Sequence, residues 1–332
     1  MRIGVNYPSG IERLSLRTAL DWSRELAPVE VRDTQAWFDV ELPGPTLELK
    51  PCLRDGDTVR WAQGRNYVVS RAEVSRQLWP YFFDAPRGRV SDLLHVEFEG
   101  VTRGVRVYHP PGYAENTLRR FPVLYMQDGK NLFFPEEAFG GTEWQVDETM
   151  DRLDAMNALR KAIVVGVCPA DRQHDYTQPG YRDYGRFLAE KLKPMVDANL
   201  RTLPEAQNTV VMGSSLGGVA ALHVAWAHPT SFARVACMSS TFGVYDDLFE
   251  RIASEPRREL LVYLDSGWPK DNYDRTNAMR DLLLARGFRL GVDLLQFSFP
   301  EGGHNEASWS HRLHVPFQYF FGSAWRASRG EG

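Results

Sequence analysis

The chain has 332 residues, of which 43% are hydrophobic and 25% charged, with a formal charge of −4. That composition sits near the soluble globular average and is long enough for one large domain or two ordinary ones, which excludes an extensively disordered chain. The mild acidity gives no electrostatic footing for nucleic acid, no basic cluster marks a membrane surface, and no run of about 18 apolar residues marks a membrane span.

The first twenty residues, MRIGVNYPSGIERLSLRTAL, lack a basic start followed by a long apolar stretch. No secretory leader is expected, and a reduced cytoplasm is the expected compartment. Residues 1–86 carry short apolar runs between turn signals: APVEVRD, AWFDVEL, TLELKPCL, TVRWAQG, RNYVV and QLWPYFF. Alternation such as that in TLELK predicts strands with one buried face, so this region reads as a small antiparallel β-sandwich. One segment, Glu12 to Glu25, reads as a helix. DAPRGR, from Asp84 to Arg89, reads as a linker.

From residue 91 to residue 325 strands alternate with helices, the pattern of an α/β domain. Eight strands are expected, at Leu93–Glu99 and from Gly104, Phe121, Ala162, Asn208, Ala233, Glu259 and Val292. The first two alternate and lie close together, as a hairpin should. The other six are continuous apolar runs, as parallel strands covered on both faces should be. Helices are expected at Glu143–Arg160, Tyr184–Asn199, Leu216–Ala227, Arg275–Arg286 and Ser308–Phe320. Cys52, Cys168 and Cys237 stand singly, and the last two each close an apolar run, so buried thiols are expected rather than disulfides.

After the strand at NTVVMGS the chain reads Gly213-Ser214-Ser215-Leu216-Gly217. This satisfies G-x-S-x-G with Ser215 central, and Ser214 does not satisfy it. The glycines remove the Cβ clashes of a sharp strand-to-helix turn, which lifts the serine hydroxyl above the sheet. The pattern alone is common; a strand before it and a helix after it give it weight. The N–H of Leu216, at the start of the helix, faces any negative charge that develops there.

A serine needs a base and an orienting acid, which follow it in the order Ser, acid, His in this fold. His304 lies in FSFPEGGHNEASW, on a glycine-rich loop after the eighth strand. His223, His228, His311 and His314 lie on helices, and His95 and His109 on the early hairpin. His174 precedes the serine and reads as facing substrate or solvent. The loop LDSGWPKDNYDRT offers Asp265, Asp271 and Asp274. Asp274 is expected to N-cap the following helix. Asp271 is favoured as the acid and Asp265 is second.

These residues resemble the esterase D branch of the α/β-hydrolases, which includes the enterochelin (enterobactin) esterases and the feruloyl esterases. The resemblance covers about Leu93 to Phe321. It rests on VYHPPGY, FPVLYMQDGKNLF, WQVDETMDRL, VVGVCPADRQHDYT, GSSLGG, LDSGWPKDN and GGHNEASW, all in order. The N-terminal region resembles, over a shorter stretch, the sandwich module that precedes the enterochelin esterase hydrolase domain. It also resembles starch-binding sandwiches, through Trp61, Gly64 and Asn66, although a packing role suits Trp61 better. The family's acid follows the loop glycine by a few residues, as Asp271 follows Gly267; members with a shorter spacing keep Asp265 open. Its second oxyanion donor, after an Asp/His-Gly pair, falls on the N–H of Lys130, with the Lys130 side chain toward solvent.

The resemblance implies a serine carboxylic ester hydrolase acting through an acyl-enzyme on siderophore, feruloyl or other aryl esters. The alternatives are an acyltransferase of the same fold, or a carbohydrate-binding scaffold whose hydrolase domain is inactive. Trp144, Arg172, His174 and Trp268 are the foremost candidates to line a substrate site, with Tyr176, Tyr181 and Tyr273 behind them. No metal or organic cofactor is expected, because no His/Cys cluster has zinc spacing. The expected partner is a small-molecule ester, and the oligomeric state, monomer or homodimer, is left unassigned.

Overall fold

In the computed structural model, which describes residues 1–322, the chain divides into two units. The first is Met1–Gly88 with Pro110–Arg120 and Asp151–Asn157; the second is Arg89–His109, Phe121–Met150 and Ala158 onward. The linear reading assigns both returning segments to the second region. The segment 110–120 joins the first unit through Glu115. Its carboxylate accepts the N–H groups of Phe82, Phe83 and Asp84 at 2.6, 2.7 and 2.8 Å and the Tyr7 hydroxyl at 2.8 Å. The expected end of the second region at residue 325 lies outside the described residues.

The first unit holds β1 (Arg2–Asn6), β2 (Leu14–Thr18), β3 (Asp21–Leu26), β4 (Glu30–Arg32), β5 (Gln35–Asp39), β6 (Thr46–Asp55), β7 (Thr58–Trp61), β8 (Tyr67–Ser70) and β9 (Ser75–Leu78). They form sheets ordered β4-β5-β1-β9 and β3-β2-β6-β7, with β8 also on β6. Ile3, Val5 and Phe38 from one sheet and Leu16, Leu49 and Val69 from the other share one core. The helix expected at Glu12–Glu25 is instead a single 3-10 turn, Ile11–Arg13, followed by β2 and β3. β2 lies between β3 and β6, so its backbone is paired on both sides and Leu14 and Leu16 enter the core. Local helix propensity loses to that pairing. Trp61 packs beside Trp22, ring centroids 6.0 Å apart, with the Arg17 guanidinium 4.9 Å over its ring.

The second unit is built on a nine-stranded mixed sheet, the core of an α/β-hydrolase fold. Its strands are β10 (Arg89–Val90), β11 (Leu94–Phe98), β12 (Val101–His109), β13 (Val123–Met126), β14 (Ile163–Cys168), β15 (Thr209–Ser214), β16 (Arg234–Met238), β17 (Leu261–Trp268) and β18 (Leu294–Pro300). The order is β10-β12-β14-β13-β15-β16-β17-β18, with β11 paired to β12. The eight expected strands are present, and Arg89–Val90 adds a short ninth. β13 to β18 run parallel to one another, with β14 also paired antiparallel to β12, and β13 to β16 are buried at every residue. This is why they read as unbroken apolar runs.

The helices are α1 (Val146–Ala155), α2 (Arg172–Tyr176), α3 (Tyr181–Arg186), α4 (Lys193–Asn199), α5 (Leu216–Ala227), α6 (Leu248–Ser254), α7 (Tyr273–Ala285), α8 (Glu306–Arg312) and α9 (His314–Phe321). α1 is shorter than expected, because Gln145 and Asn157 adopt φ of 53° and 55° at its two ends. A π-helical segment, Phe187–Leu192, joins α3 to α4. Asp274 lies in the first turn of α7, and the capping position belongs to Asn272, at φ 53°. No helix among the described residues is long and apolar enough to cross a membrane. The parallel order gathers the ends of β13, β15, β16, β17 and β18 along one edge, where ligand sites form in such sheets.

Candidate active site

Ser215 sits between β15 and α5 with φ 54° and ψ −125°, a backbone conformation costly for any residue with a Cβ. Its N–H donates to the Met238 carbonyl at 2.9 Å, which ties the turn to the adjacent strand. A Cβ at Gly213 would stand 2.4 Å from the Gly217 carbonyl oxygen, so the turn closes only with glycine there. Ser214 is buried, 1% exposed, and points into the interior. The glycine spacing therefore separates the hydroxyl that faces His304, 9% exposed, from one packed hydroxyl.

His304 arrives on the loop between β18 and α8. Its Nε2 lies 2.9 Å from Ser215 Oγ and its Nδ1 2.7 Å from Asp271 Oδ1. Trp309 packs near-perpendicular to the imidazole, ring centroids 5.0 Å apart. Gly267 permits this approach: a Cβ there would lie 1.9 Å from the Gly302 carbonyl oxygen, two residues before His304.

Asp271 is 2% exposed. Its Oδ2 accepts the Gly267 N–H at 2.9 Å and the Ser239 hydroxyl, and lies 3.3 Å from Arg312 NH2. Burial raises its pKa, but the hydrogen bonds from His304, Ser239 and Gly267 and the Arg312 charge outweigh burial and hold it at about 2. Asp265 is fully buried and does not reach His304. Tyr263 donates to its Oδ2 at 2.9 Å, and Arg312 Nε lies 3.2 Å from its Oδ1. Burial lifts its pKa to about 6, with Arg312 and Tyr263 opposing.

The loop after β13 packs against the serine turn. Gln127 Cβ and Asp128 Oδ2 lie 3.1 and 3.2 Å from where a Gly217 Cβ would be. Asp128 adopts φ 55°, and its N–H donates to the Tyr176 hydroxyl at 2.9 Å. Lys130 follows, exposed, on a one-turn helix, Gly129–Asn131, whose Gly129 is buried. The Leu216 N–H heads α5, where helical geometry leaves it without an intrahelical acceptor.

The candidate substrate residues divide. Trp268 and the His174 side chain are about half exposed, 49% and 58%. Trp144 is 1% exposed and packs tilted against Trp309, centroids 5.5 Å apart, and so does not line open surface. Tyr176 and Tyr181 are likewise fully buried. Arg172 is half exposed, but its guanidinium is bound to Asp128 by two hydrogen bonds. Its charge is already matched.

Sequence reasoning missed Ser239, Arg312 and Trp309, and used Asp128 only as the marker for the Lys130 donor. Ser239 closes β16 at φ 46°; Arg312 and Trp309 lie three apart on α8, one face of one turn. An arginine on the otherwise apolar stripe of Trp309, Leu313 and Phe317 was the available signal. Among the described residues Glu143, Asp147 and Glu148 bring carboxylate oxygens within 4.8 Å of one another.

Residues 99–319 match the family described as putative esterase. An uncharacterized protein of Bacillus subtilis (strain 168), YbbA, is 23% identical over 170 residues, which cover 47% of this chain and 63% of that protein, so the chain spans less than two thirds of its length. Among solved structures, the enterobactin esterase FES from Shigella flexneri, in the presence of enterobactin, is similar with a TM-score of 0.59 at 16% identity, covering 96% of this chain and 92% of that one. A ferulic acid esterase is similar with a TM-score of 0.59 at 19% identity, covering 70% of this chain and 98% of that one. At these identities the structural likeness establishes the α/β-hydrolase fold. The family match extends over most of the chain and contains Ser215, Asp271 and His304, and the chain accordingly belongs to the putative esterase family.

Proposed function

We propose that the protein is a serine carboxylic ester hydrolase that works through an acyl-enzyme. The observation that carries this reading is the unbroken relay from Ser215 Oγ through His304 to Asp271, at 2.9 and 2.7 Å, on a strained turn. Ser215 Oγ attacks the ester carbonyl carbon as its proton passes to His304 Nε2. Asp271 holds the tautomer with the proton on Nδ1 and balances the imidazolium. The N–H groups of Leu216 and Lys130 receive the oxyanion; loss of one such donor costs about 3–4 kcal/mol of barrier. The tetrahedral intermediate collapses, the C–O bond to the alcohol breaks, and His304 returns the proton to the leaving oxygen. Water then attacks the acyl-enzyme with His304 again as base, which releases the acid and restores Ser215.

The proposed substrates are small-molecule aryl esters, of the siderophore or feruloyl kind. Half-exposed Trp268 and His174 support that choice, together with structural neighbours named enterobactin esterase and ferulic acid esterase. Three free buried cysteines favour a reducing cytoplasm. Hydrolysis of p-nitrophenyl acetate tests the reaction: Ser215→Ala should abolish it together with fluorophosphonate labelling, and a variant as fast as the parent would refute the assignment. A panel of acetyl, feruloyl, catecholate-siderophore and polyester substrates tests the acyl preference.

A further inference from the structure

The relay does not end at Asp271. Ser239 Oγ donates to Asp271 Oδ2 and accepts from Trp309 Nε1, at 3.0 Å, and from Arg312 NH2. Arg312 is 3% exposed, and its guanidinium faces two carboxylates: Nε lies 3.2 Å from Asp265 Oδ1 and NH2 lies 3.3 Å from Asp271 Oδ2. Phe299 on β18 covers the guanidinium, 5.4 Å from its ring centroid. Asp265 is not needed for a triad, since the carboxylate at His304 Nδ1 is Asp271. A second carboxylate with no solvent exposure is expensive to keep without a purpose or a partner.

We propose that Arg312, with Asp265 as its counter-charge, is a positioning residue that sets the charge behind the Asp271–His304 pair. The proposal rests on the triad reading above. The guanidinium opposes the Asp271 carboxylate, and Asp265 in turn opposes the guanidinium. Above the Asp265 pKa of about 6, His304 therefore faces one net negative charge across three buried ionised groups. The titratable and charged groups around this cluster are Tyr263 and Asp265 from β17, Cys237 from β16, Asp271 and His304 from the two loops, and Arg312 from α8. Burial keeps Cys237 and Tyr263 neutral at physiological pH.

The sign of each perturbation follows. Without the guanidinium, Asp265 takes up a proton and no positive charge offsets Asp271, so the imidazolium is favoured and the base is lost at a higher pH. Without the Asp265 charge, the guanidinium is uncompensated, the imidazolium is disfavoured, and the base survives to a lower pH. A residue that only fills space would not produce opposite shifts.

The experiment is the pH profile of kcat/KM for p-nitrophenyl acetate in the parent, Arg312→Met, Asp265→Asn and the double variant. Expected are an acid limb displaced upward by about one pH unit in Arg312→Met and downward in Asp265→Asn, with the double variant returning toward the parent. Arg312→Met leaves Asp265 buried without its cation and could fail to fold. The Asp265→Asn and double profiles then decide: a downward limb that the second change cancels supports the proposal. Limbs that stay put, or move together, in folded variants of a parent labelled at Ser215 by fluorophosphonate overturn the proposal alone. A parent that is neither labelled nor active overturns the triad reading, and the proposal with it.

Discussion

Arg172 grips Asp128 through two parallel hydrogen bonds, Nε to Oδ1 at 2.7 Å and NH2 to Oδ2 at 2.9 Å. The paired carboxylate is 8% exposed and belongs to the residue that starts the Gly129–Lys130 turn at φ 55°. The guanidinium thus braces the loop with the proposed oxyanion donor and is not a free receptor for an anionic substrate. Arg172→Gln should slow anionic and neutral p-nitrophenyl esters by the same factor, about tenfold, with most of the loss in kcat. The paired kcat/KM measurement decides it, and a loss confined to the anionic ester would restore Arg172 to substrate binding.

What the sequence disclosed and what it concealed follow from the range of the forces involved. β13 to β16 were legible because burial on both faces leaves only apolar residues. The serine turn was legible because its steric demand falls on residues two positions away, Gly213 and Gly217. Ser239 and Arg312 were not, because they meet Asp271 from 32 and 41 residues away and nothing local marks them. β2 was misread as helical because its pairing with β6, more than thirty residues on, outweighs local propensity. Trp144 and Trp268 look alike as loop tryptophans, and only packing separates the buried one from the half-exposed one.

Gly267 should tolerate no side chain. An alanine Cβ there would lie 1.9 Å from the Gly302 oxygen and 2.5 Å from its carbonyl carbon, both backbone atoms that cannot swing aside. The Gly302–His304 loop has to move, and it carries the proposed base. Gly267→Ala should lower kcat at least about a hundredfold, since small misplacements of catalytic groups cost about that much. The far-ultraviolet circular dichroism should stay close to the parent's. Parent-like kcat in that variant would show that the loop is not held by this contact.

Asp271→Asn probes the proposed orienting acid. Asparagine retains the shape but can present its amide to Nδ1, which favours the wrong imidazole tautomer; a comparable change elsewhere cost about 10⁴ in kcat. The carboxyl also carries a stability signature. Its folded pKa of about 2 lies below its free value of 3.8, so its stabilisation is fully present above about pH 4 and is lost as the pH falls toward 2. The variant's acid unfolding should therefore be shallower than the parent's between pH 4 and 2. Identical slopes, followed by tryptophan fluorescence, would contradict the hydrogen-bond assignment.

Asp147 should contribute the opposite signature. It stands in the first turn of α1, where burial and then the Glu148 charge lift its pKa to about 7; burial and the same neighbour lift Glu143 to about 7 as well. A carboxyl whose folded value lies above its free value of 3.8 is most favourable to folding in acid. As the pH rises from about 4 to 7 the unfolded chain ionises first, so the native state loses stability over that window and stays lowered above it. Asp147→Asn removes the proton-linked loss, although the amide gives up the favourable interaction of a carboxylate with the helix N-terminus. Its melting temperature should exceed the parent's by about 2 °C or more at pH 8 and match it at pH 4. A gain of equal size at both pH values would mean that the asparagine acts through packing and not through the displaced proton equilibrium.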